Sequence, residues 1–201
     1  MNEPGQRKSG RWKLLAVLFV CAAPLIFSYL TYYVIKPSGR TNYGALIDPR
    51  QYPIPDLKAT TLDGKPSGLD AYKGKWLLVR VGPAECDEAC RKQLFAMRQL
   101  RLMQGKEMER VERIWLITDD APLDTMIMRE YDGTRLLRVQ REAVLKWLPV
   151  EQGGNATAHM FMIDPLGNLM MRFPKDAAES TENAAKVKKD IGKLLKASAI
   201  G

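Results

Sequence analysis

The most continuous apolar stretch of the chain lies near its N-terminus, where residues 14–35 carry no charged side chain. A helix of this length can cross the hydrocarbon core of a bilayer. Trp12 precedes the stretch and three tyrosines stand near its far end, in positions typical of interfacial aromatics. Basic residues are in excess before the stretch, so we expect residues 1–13 to stay in the cytoplasm and the rest to be exported.

A cleaved signal peptide is the alternative interpretation of this stretch. Cleavage near Cys21 would leave residues 24–35 as a strongly apolar new N-terminus, which disfavours it. We therefore expect one uncleaved transmembrane helix over residues 14–35, with Cys21 as a small side chain within the membrane. Residues 36–55 are rich in proline and glycine and predict an extended linker.

From residue 56 to residue 201, short apolar runs alternate with amphipathic segments. Strands are predicted at 76–81, 113–118, 136–139, 159–163 and 169–173, and helices at 90–104, 123–131, 142–148 and 178–197. An Asp-Gly turn at 63–64 predicts a short hairpin before the first of these strands. This order favours an α/β domain with a mixed central sheet covered by helices on both faces.

Charge narrows the classes of partner. The formal net charge is +8, and the basic residues beyond the N-terminus are spread along the chain. Because no lysine and arginine cluster is interleaved with stacking aromatics, nucleic-acid binding is disfavoured. The charge supports a mild attraction to an anionic membrane surface or an acidic partner.

The candidate chemistry lies in the segment Cys86-Asp87-Glu88-Ala89-Cys90, between the first long strand and the first long helix. If both cysteines occupied the first helical turns, their Cα atoms would be ~6.2 Å apart, within reach of a disulfide. A helix N-terminus favours a reactive thiolate, and two thiolates also suit Cu(I). Two buried cysteines without a reactive role are the alternative. In an oxidising compartment the pair rests as a disulfide unless a reductant or metal engages it.

With its cysteine pair at the end of the first central strand, the chain resembles the Sco/SenC group of membrane-anchored thioredoxin-like proteins. The resemblance is carried by the N-terminal anchor, by Cys86 and Cys90, and by the Asp164-Pro165-x-Gly167 turn. It is closer still to small anchored proteins encoded among cytochrome oxidase assembly genes, in which an ending like residues 167–174 recurs. The resemblance implies a thioredoxin-like domain in the periplasm, anchored in a bacterial inner membrane. It also implies cytochrome c oxidase assembly by copper delivery or thiol reduction, with an oxidase subunit or another assembly factor as partner.

The chain departs from the Sco pattern at the expected metal site. Sco proteins have prolines where Asp87 and Arg91 stand, and their metal-binding histidine corresponds to Ala156. The only histidine of the chain, His159, lies three residues later, which reverses its face in a continuous strand. His159 is therefore a candidate third copper ligand beside Cys86 and Cys90 only if the strand starts later or is bulged. A hydrogen-bonded histidine at a strand start is the alternative.

Three hypotheses for function follow. The pair could bind Cu(I) transiently in an assembly factor, could exchange disulfides with another protein, or could be a structural disulfide in a binding module. The C-x-x-x-C spacing, and the lack of a proline before the facing strand, disfavour ordinary thioredoxin-type catalysis. Four methionines could offer thioether ligands to copper, but core packing is their more common role: Met160, Met162, Met170 and Met171.

Overall fold

A computed structural model of the protein describes residues 6–35 and 42–198, and the chain divides into two compact units, 1–41 and 42–201. The first unit contains α1 (Gln6–Leu30), followed by a π-helical turn (Thr31–Ile35). Its segment Gly10–Val34 is long and apolar enough to cross a membrane, and none of the apolar window is buried by protein. The predicted transmembrane segment thus forms a helix, with Pro24 inside it. Residues 1–5 of the predicted cytoplasmic segment lie outside the described residues.

The second unit is built on a six-stranded mixed sheet in the order β1-β6-β5-β2-β3-β4. The strand β2 is parallel to β3 and antiparallel to β5, and β3 is parallel to β4. Both β5 with β6 and β6 with β1 pair antiparallel. The strands are β1 (Ala45–Leu46), β2 (Trp76–Gly82), β3 (Val111–Ile117), β4 (Thr134–Arg138), β5 (Met160–Ile163) and β6 (Leu169–Arg172).

Helices cover both faces of this sheet, which confirms the predicted α/β class. They are α2 (Glu88–Leu102), α3 (Thr125–Glu130), α4 (Arg141–Trp147) and α5 (Thr181–Ala197). Alternate side chains of a strand point to opposite faces. On one face Leu78 and Met162 pack with α2 and α5, and on the other Val79 and Phe161 pack with α4. Every residue of β2 is buried, because helices cover both of its faces.

The described part of the predicted linker belongs to the domain. Residues 42–55 lie in the second unit, and β1 adds an edge strand to the sheet by pairing with β6. Gly44 allows this close approach, since a Cβ there would lie 2.6 Å from Met171 Sδ. Residues 36–41 of the predicted linker lie outside the described residues. The domain therefore begins before residue 56, where the composition placed its start.

One local prediction differs from the structure. The predicted hairpin around residues 63–64 is reduced to an isolated bridge between Thr60 and Pro66. In α5, the buried stripe includes a carboxylate, Asp190, beside Val187 and Ile191. Asp190 is buried because its carboxylate accepts hydrogen bonds from the Tyr43 and Gly44 amides.

Candidate functional site

The strand β2 and its following loop fix the position of the cysteine pair. The carbonyl of Gly82 accepts a hydrogen bond from Trp115 Nε1 at 3.3 Å, which ties the end of β2 to β3. Beyond it, the Ala84 amide donates to the Asp119 carboxylate at 3.0 Å. Hydrogen bonds to β3 and to the loop after β3 therefore fix the position of the loop that carries Cys86.

Asp87 is the N-cap of α2, and its side chain accepts a hydrogen bond from the Cys90 amide at 2.8 Å. An N-cap carboxylate satisfies one of the free amides of the first turn and complements the helix dipole. Because the helix begins at Glu88, Cys86 precedes the cap, outside the helical turns that the spacing argument assumed. The two Cα atoms are 5.2 Å apart.

Cys86 and Cys90 form a disulfide. The two residues differ in exposure: Cys86 is half-buried, whereas Cys90 is only 3% exposed. Cys90 packs in an apolar cluster with Leu94, Trp115 and Ile117. The Cys86 end of the disulfide is thus more open to a partner than the Cys90 end, which the domain shields.

Arg80 is a buried cation below this end of the sheet, which the sequence analysis did not single out. It is 2% exposed, its Nε donates to Gln93 Oε1 at 3.1 Å, and its guanidinium carbon lies 4.6 Å from the Trp115 ring centroid. Its Nη1 meets no acceptor among the described residues. Burial lowers the pKa of Arg80 to about 10, and the nearby Asp87 charge opposes this shift. The signal was available, since a lone arginine interrupts an otherwise apolar buried strand.

The remaining carboxylates near the cysteine pair are either exposed on the surface or accept hydrogen bonds from backbone amides. Glu88 pairs with Lys92 at 2.8 Å, and this hydrogen bond and the charge of Lys92 lower the pKa of Glu88. Asp119 caps the Ala84 amide, and Asp120 is exposed. Acidic groups at the site therefore shape the loop and the first turn of α2.

His159 lies just before β5 and is buried. Its Nδ1 lies 2.8 Å from the carbonyl oxygen of Phe173, so Nδ1 carries a proton and donates this hydrogen bond. Its ring centroid is 6.3 Å from that of Phe161, on the α4 side of the sheet. Across residues 6–35 and 42–198, no three His, Cys, Asp or Glu side chains are grouped to hold a metal. The structure therefore does not bring His159 together with Cys86 and Cys90.

The other sulfur and strand positions named from the sequence are part of the core. Met160, Met162 and Met171 are buried between the sheet and helices α2 and α5, and Met170 packs against the same cluster. Ala156, at the Sco histidine position, is buried with Phe161. These methionines fill space in the domain.

Models of two protein families match the chain. The model described as transmembrane-like, thioredoxin-like, C-terminal domain matches residues 76–198, more than half of the chain. The chain belongs to this transmembrane-like, thioredoxin-like family. The model described as transmembrane-like, N-terminal domain matches residues 4–34, and together with the apolar α1 it indicates a single-pass membrane anchor. No match is found among curated proteins.

Solved structures of Sco proteins share the architecture of this family member. Copper-bound yeast Sco1 is 14% identical with a TM-score of 0.54, over 80% of this chain and 97% of that one. Apo Sco1 from Thermus thermophilus is 18% identical with a TM-score of 0.51, over 77% and 99%. A candidate protein disulfide isomerase from Bacteroides thetaiotaomicron is 20% identical with a TM-score of 0.51, over 71% and 87%. The predicted resemblance to Sco/SenC proteins is confirmed as a shared thioredoxin-like fold.

Proposed function

We propose that this protein is a membrane-anchored cytochrome c oxidase assembly factor whose Cys86 and Cys90 exchange disulfides with a partner protein. The observation that carries the proposal is the half-buried Cys86 bonded to the buried Cys90. An accessible sulfur can form a mixed disulfide, and a shielded neighbour can resolve it. The Sco/SenC resemblance supports the oxidase-assembly context, in which the partner is an oxidase subunit or another assembly factor.

The exchange balances without a cofactor. In the reduced protein, the Cys86 thiolate attacks one sulfur of the partner disulfide, and the other partner sulfur leaves and takes up a proton. Cys90 loses its proton to solvent and attacks the Cys86 sulfur, which re-forms the Cys86–Cys90 disulfide and releases the second partner thiol. The partner gains two electrons, and a dithiol reductant must reduce the pair for the next turnover.

Trapping of the mixed disulfide tests these roles. Full-length protein carrying Cys90→Ser, mixed with a peptide that has one internal disulfide, should accumulate a covalent adduct at Cys86. The matched Cys86→Ser variant should accumulate none, because Cys90 is shielded. An adduct that forms only in the Cys86→Ser variant, or in neither variant, would count against thiol exchange by this pair.

The second candidate function is transient Cu(I) binding, with copper as cargo. It is favoured by the donor set, since two thiolates are soft ligands that suit Cu(I), and copper-bound yeast Sco1 shares the fold. In the reduced protein Cys86 and Cys90 would hold the ion. His159 is the remaining candidate ligand, and we expect it to add less than either cysteine because its ring lies beside Phe161.

Competition with a Cu(I) chelator separates the two functions. We expect binding by the reduced wild type to be lost in Cys86→Ser and in Cys90→Ser, and to change little in His159→Ala. Abolition of binding by His159→Ala would show a three-ligand site. A wild type that never competes for copper would leave thiol exchange as the function.

The proposed location is a bacterial inner membrane with the domain in the periplasm. The basic excess before α1 supports this orientation. Alkaline phosphatase fused after Gly201 should be active in a bacterial host. A stable but inactive fusion would contradict this topology.

A further inference from the structure

A basic groove of about 900 Å³ lies between α5 and the C-terminal end of α2, away from the cysteine pair. Six of its lining side chains are basic and a single one is acidic, Glu107. Met103, 42% exposed, adds an apolar side chain to the same groove. The basic residues are Lys106, Arg110, Lys188, Lys189, Lys193 and Lys196.

Three of these cations pair with carboxylates of the domain, and three lysines of α5 do not. Arg110 pairs with Glu107 at 2.8 Å, Lys106 lies 4.0 Å from the same carboxylate, and Lys193 pairs with Asp190 at 3.0 Å. The remaining α5 lysines of the groove are exposed, and over the part of the chain that the structure describes none has an ion-pairing carboxylate: Lys188, Lys189 and Lys196. The groove thus presents unneutralised positive charge to solvent.

The chain enters the domain beside this groove. The buried Asp190 carboxylate accepts hydrogen bonds from the Tyr43 amide at 2.6 Å and the Gly44 amide at 2.9 Å. Lys193 Nζ, a groove residue, donates to Asn42 Oδ1 at 2.8 Å. Seven peptide units separate Ile35 from Asn42, so the chain between them can span at most about 24 Å. The groove is therefore joined to the apolar segment of α1 by a short length of chain.

We propose that this groove binds the anionic phosphate headgroups of the bilayer in which α1 is anchored. Lysines close to a membrane surface are attracted to anionic lipids, and their compact ammonium groups suit phosphate oxygens. The cysteine pair lies at the other end of α2, whose 15 residues span about 22 Å. Headgroup binding would present that end of the domain to a partner at a set height above the bilayer.

Lysine acetylation tests the proposal on the full chain in lipid nanodiscs. At low salt, Lys106, Lys188 and Lys189 should be acetylated about threefold more slowly in discs containing phosphatidylglycerol than in discs of phosphatidylcholine, and high salt should remove the difference. Lys58 and Lys146, which lie elsewhere on the domain surface, should react equally in both discs. Equal acetylation of the groove lysines in both discs would overturn the proposal.

Charge-matched variants exclude a general effect of net charge. The triple variant Lys188→Gln, Lys189→Gln and Lys196→Gln should lose the protection of Lys106. A control variant with Lys58→Gln, Lys73→Gln and Lys146→Gln has the same net charge and should retain it. Protection that survives in the groove variant, or that disappears in both, would contradict the proposal. Protection by soluble polyglutamate but not by anionic discs would assign the groove to an acidic protein instead.

Discussion

The two faces of the central strands bury different kinds of side chain. On the α4 face, the buried side chains of β2 and β3 are all apolar, and on the α2 face the buried side chains also include Arg80 and Arg113. Burying a guanidinium is costly unless its hydrogen bonds are satisfied, and both arginines have nitrogen atoms with no acceptor among the described residues. The apolar residues of the α4 face are Leu77, Val79, Val81, Ile114 and Leu116.

This contrast separates stability from chemistry. The α4 face has the composition of a core selected for packing, and it lies away from the disulfide. The α2 face places Arg80 against Gln93 and Trp115, and Trp115 shares a cluster with Cys90. We infer that the packing on the α4 face stabilises the domain. On the α2 face, the burial of Arg80 lowers that stability and places a positive charge near the thiol pair.

The largest expected effect comes from breaking the α4 face. Phe161→Ala removes a fully buried ring and should lower the free energy of unfolding by about 3–5 kcal/mol. Chemical denaturation measures the loss, and Phe161→Leu should cost less because it keeps more of the volume. The alkylation rate of reduced Cys86 should stay unchanged under native conditions. A changed rate would mean that the two faces are coupled.

The next effect comes from Arg80 on the α2 face. Its positive charge favours the thiolates of the reduced pair, so Arg80→Met should favour the disulfide and lower the reduction potential by about 30 mV, a tenfold change in the equilibrium. Arg80→Lys should retain most of the wild-type potential. The free energy of unfolding should change little or increase, because a poorly satisfied buried charge is removed.

Arg113→Met is the matched control for Arg80. Arg113 is buried on the same face, but its Nη2 donates to the Asp132 carbonyl at 2.7 Å and it lies opposite Leu78, nearer the start of β2. Its replacement should leave the reduction potential unchanged. Equal shifts in both variants would show that any change on this face acts on the pair.

Removing the N-caps of two helices should have a smaller effect on stability and should separate the helix beside the cysteines from the one that lies away from them. Asp87→Ala and Ser180→Ala each remove a side-chain cap, of α2 and α5 respectively, and each should cost about 1 kcal/mol of stability. Only Asp87→Ala should also change the alkylation rate of Cys86, because Asp87 holds the Cys90 amide. A similar change in rate for Ser180→Ala would point to a general loosening of the domain.

The smallest effect concerns the surface pair at the start of α2. Lys92 lowers the pKa of Glu88, so Lys92→Ala should return that pKa towards its usual range in an NMR titration. A carboxyl group whose pKa is lower in the folded than in the unfolded chain stabilises the fold at pH values above its unfolded pKa. This contribution is lost as the pH falls through the folded pKa. Because both side chains are exposed, the melting temperature should stay unchanged near neutral pH. A clear drop in melting temperature would mean that the pair has a structural role.

The sequence pattern predicted those elements whose periodicity is set by burial. The apolar run of β2, the helix that follows it and the closing hairpin all lie where alternation and turn residues placed them. The strand β1 could not be predicted, because a two-residue edge strand is defined by its partner β6. The burial of Asp190 depends likewise on amides of residues 43 and 44, far away in sequence.

The sequence likewise predicted the cysteine pair of the site but not the side chains around it. Two cysteines four residues apart at a strand–helix junction were enough to predict the disulfide, while the side chains around it depended on the tertiary fold. Arg80 is the one charged residue in the apolar run of β2, but its burial depends on the helices that cover both faces of that strand. The face of His159 depends on where β5 begins, and the structure starts that strand at Met160.

The reduction potential of the Cys86–Cys90 pair distinguishes a disulfide that exchanges with a partner from a structural one. The full-length protein would be equilibrated with dithiol redox buffers and then alkylated. Mass spectrometry would measure the fractions of alkylated and disulfide-bonded protein at each buffer ratio. We expect a potential above about −300 mV, in the range of disulfides that exchange with partners. A potential clearly below about −300 mV would identify the bond as a structural disulfide and contradict the proposed exchange.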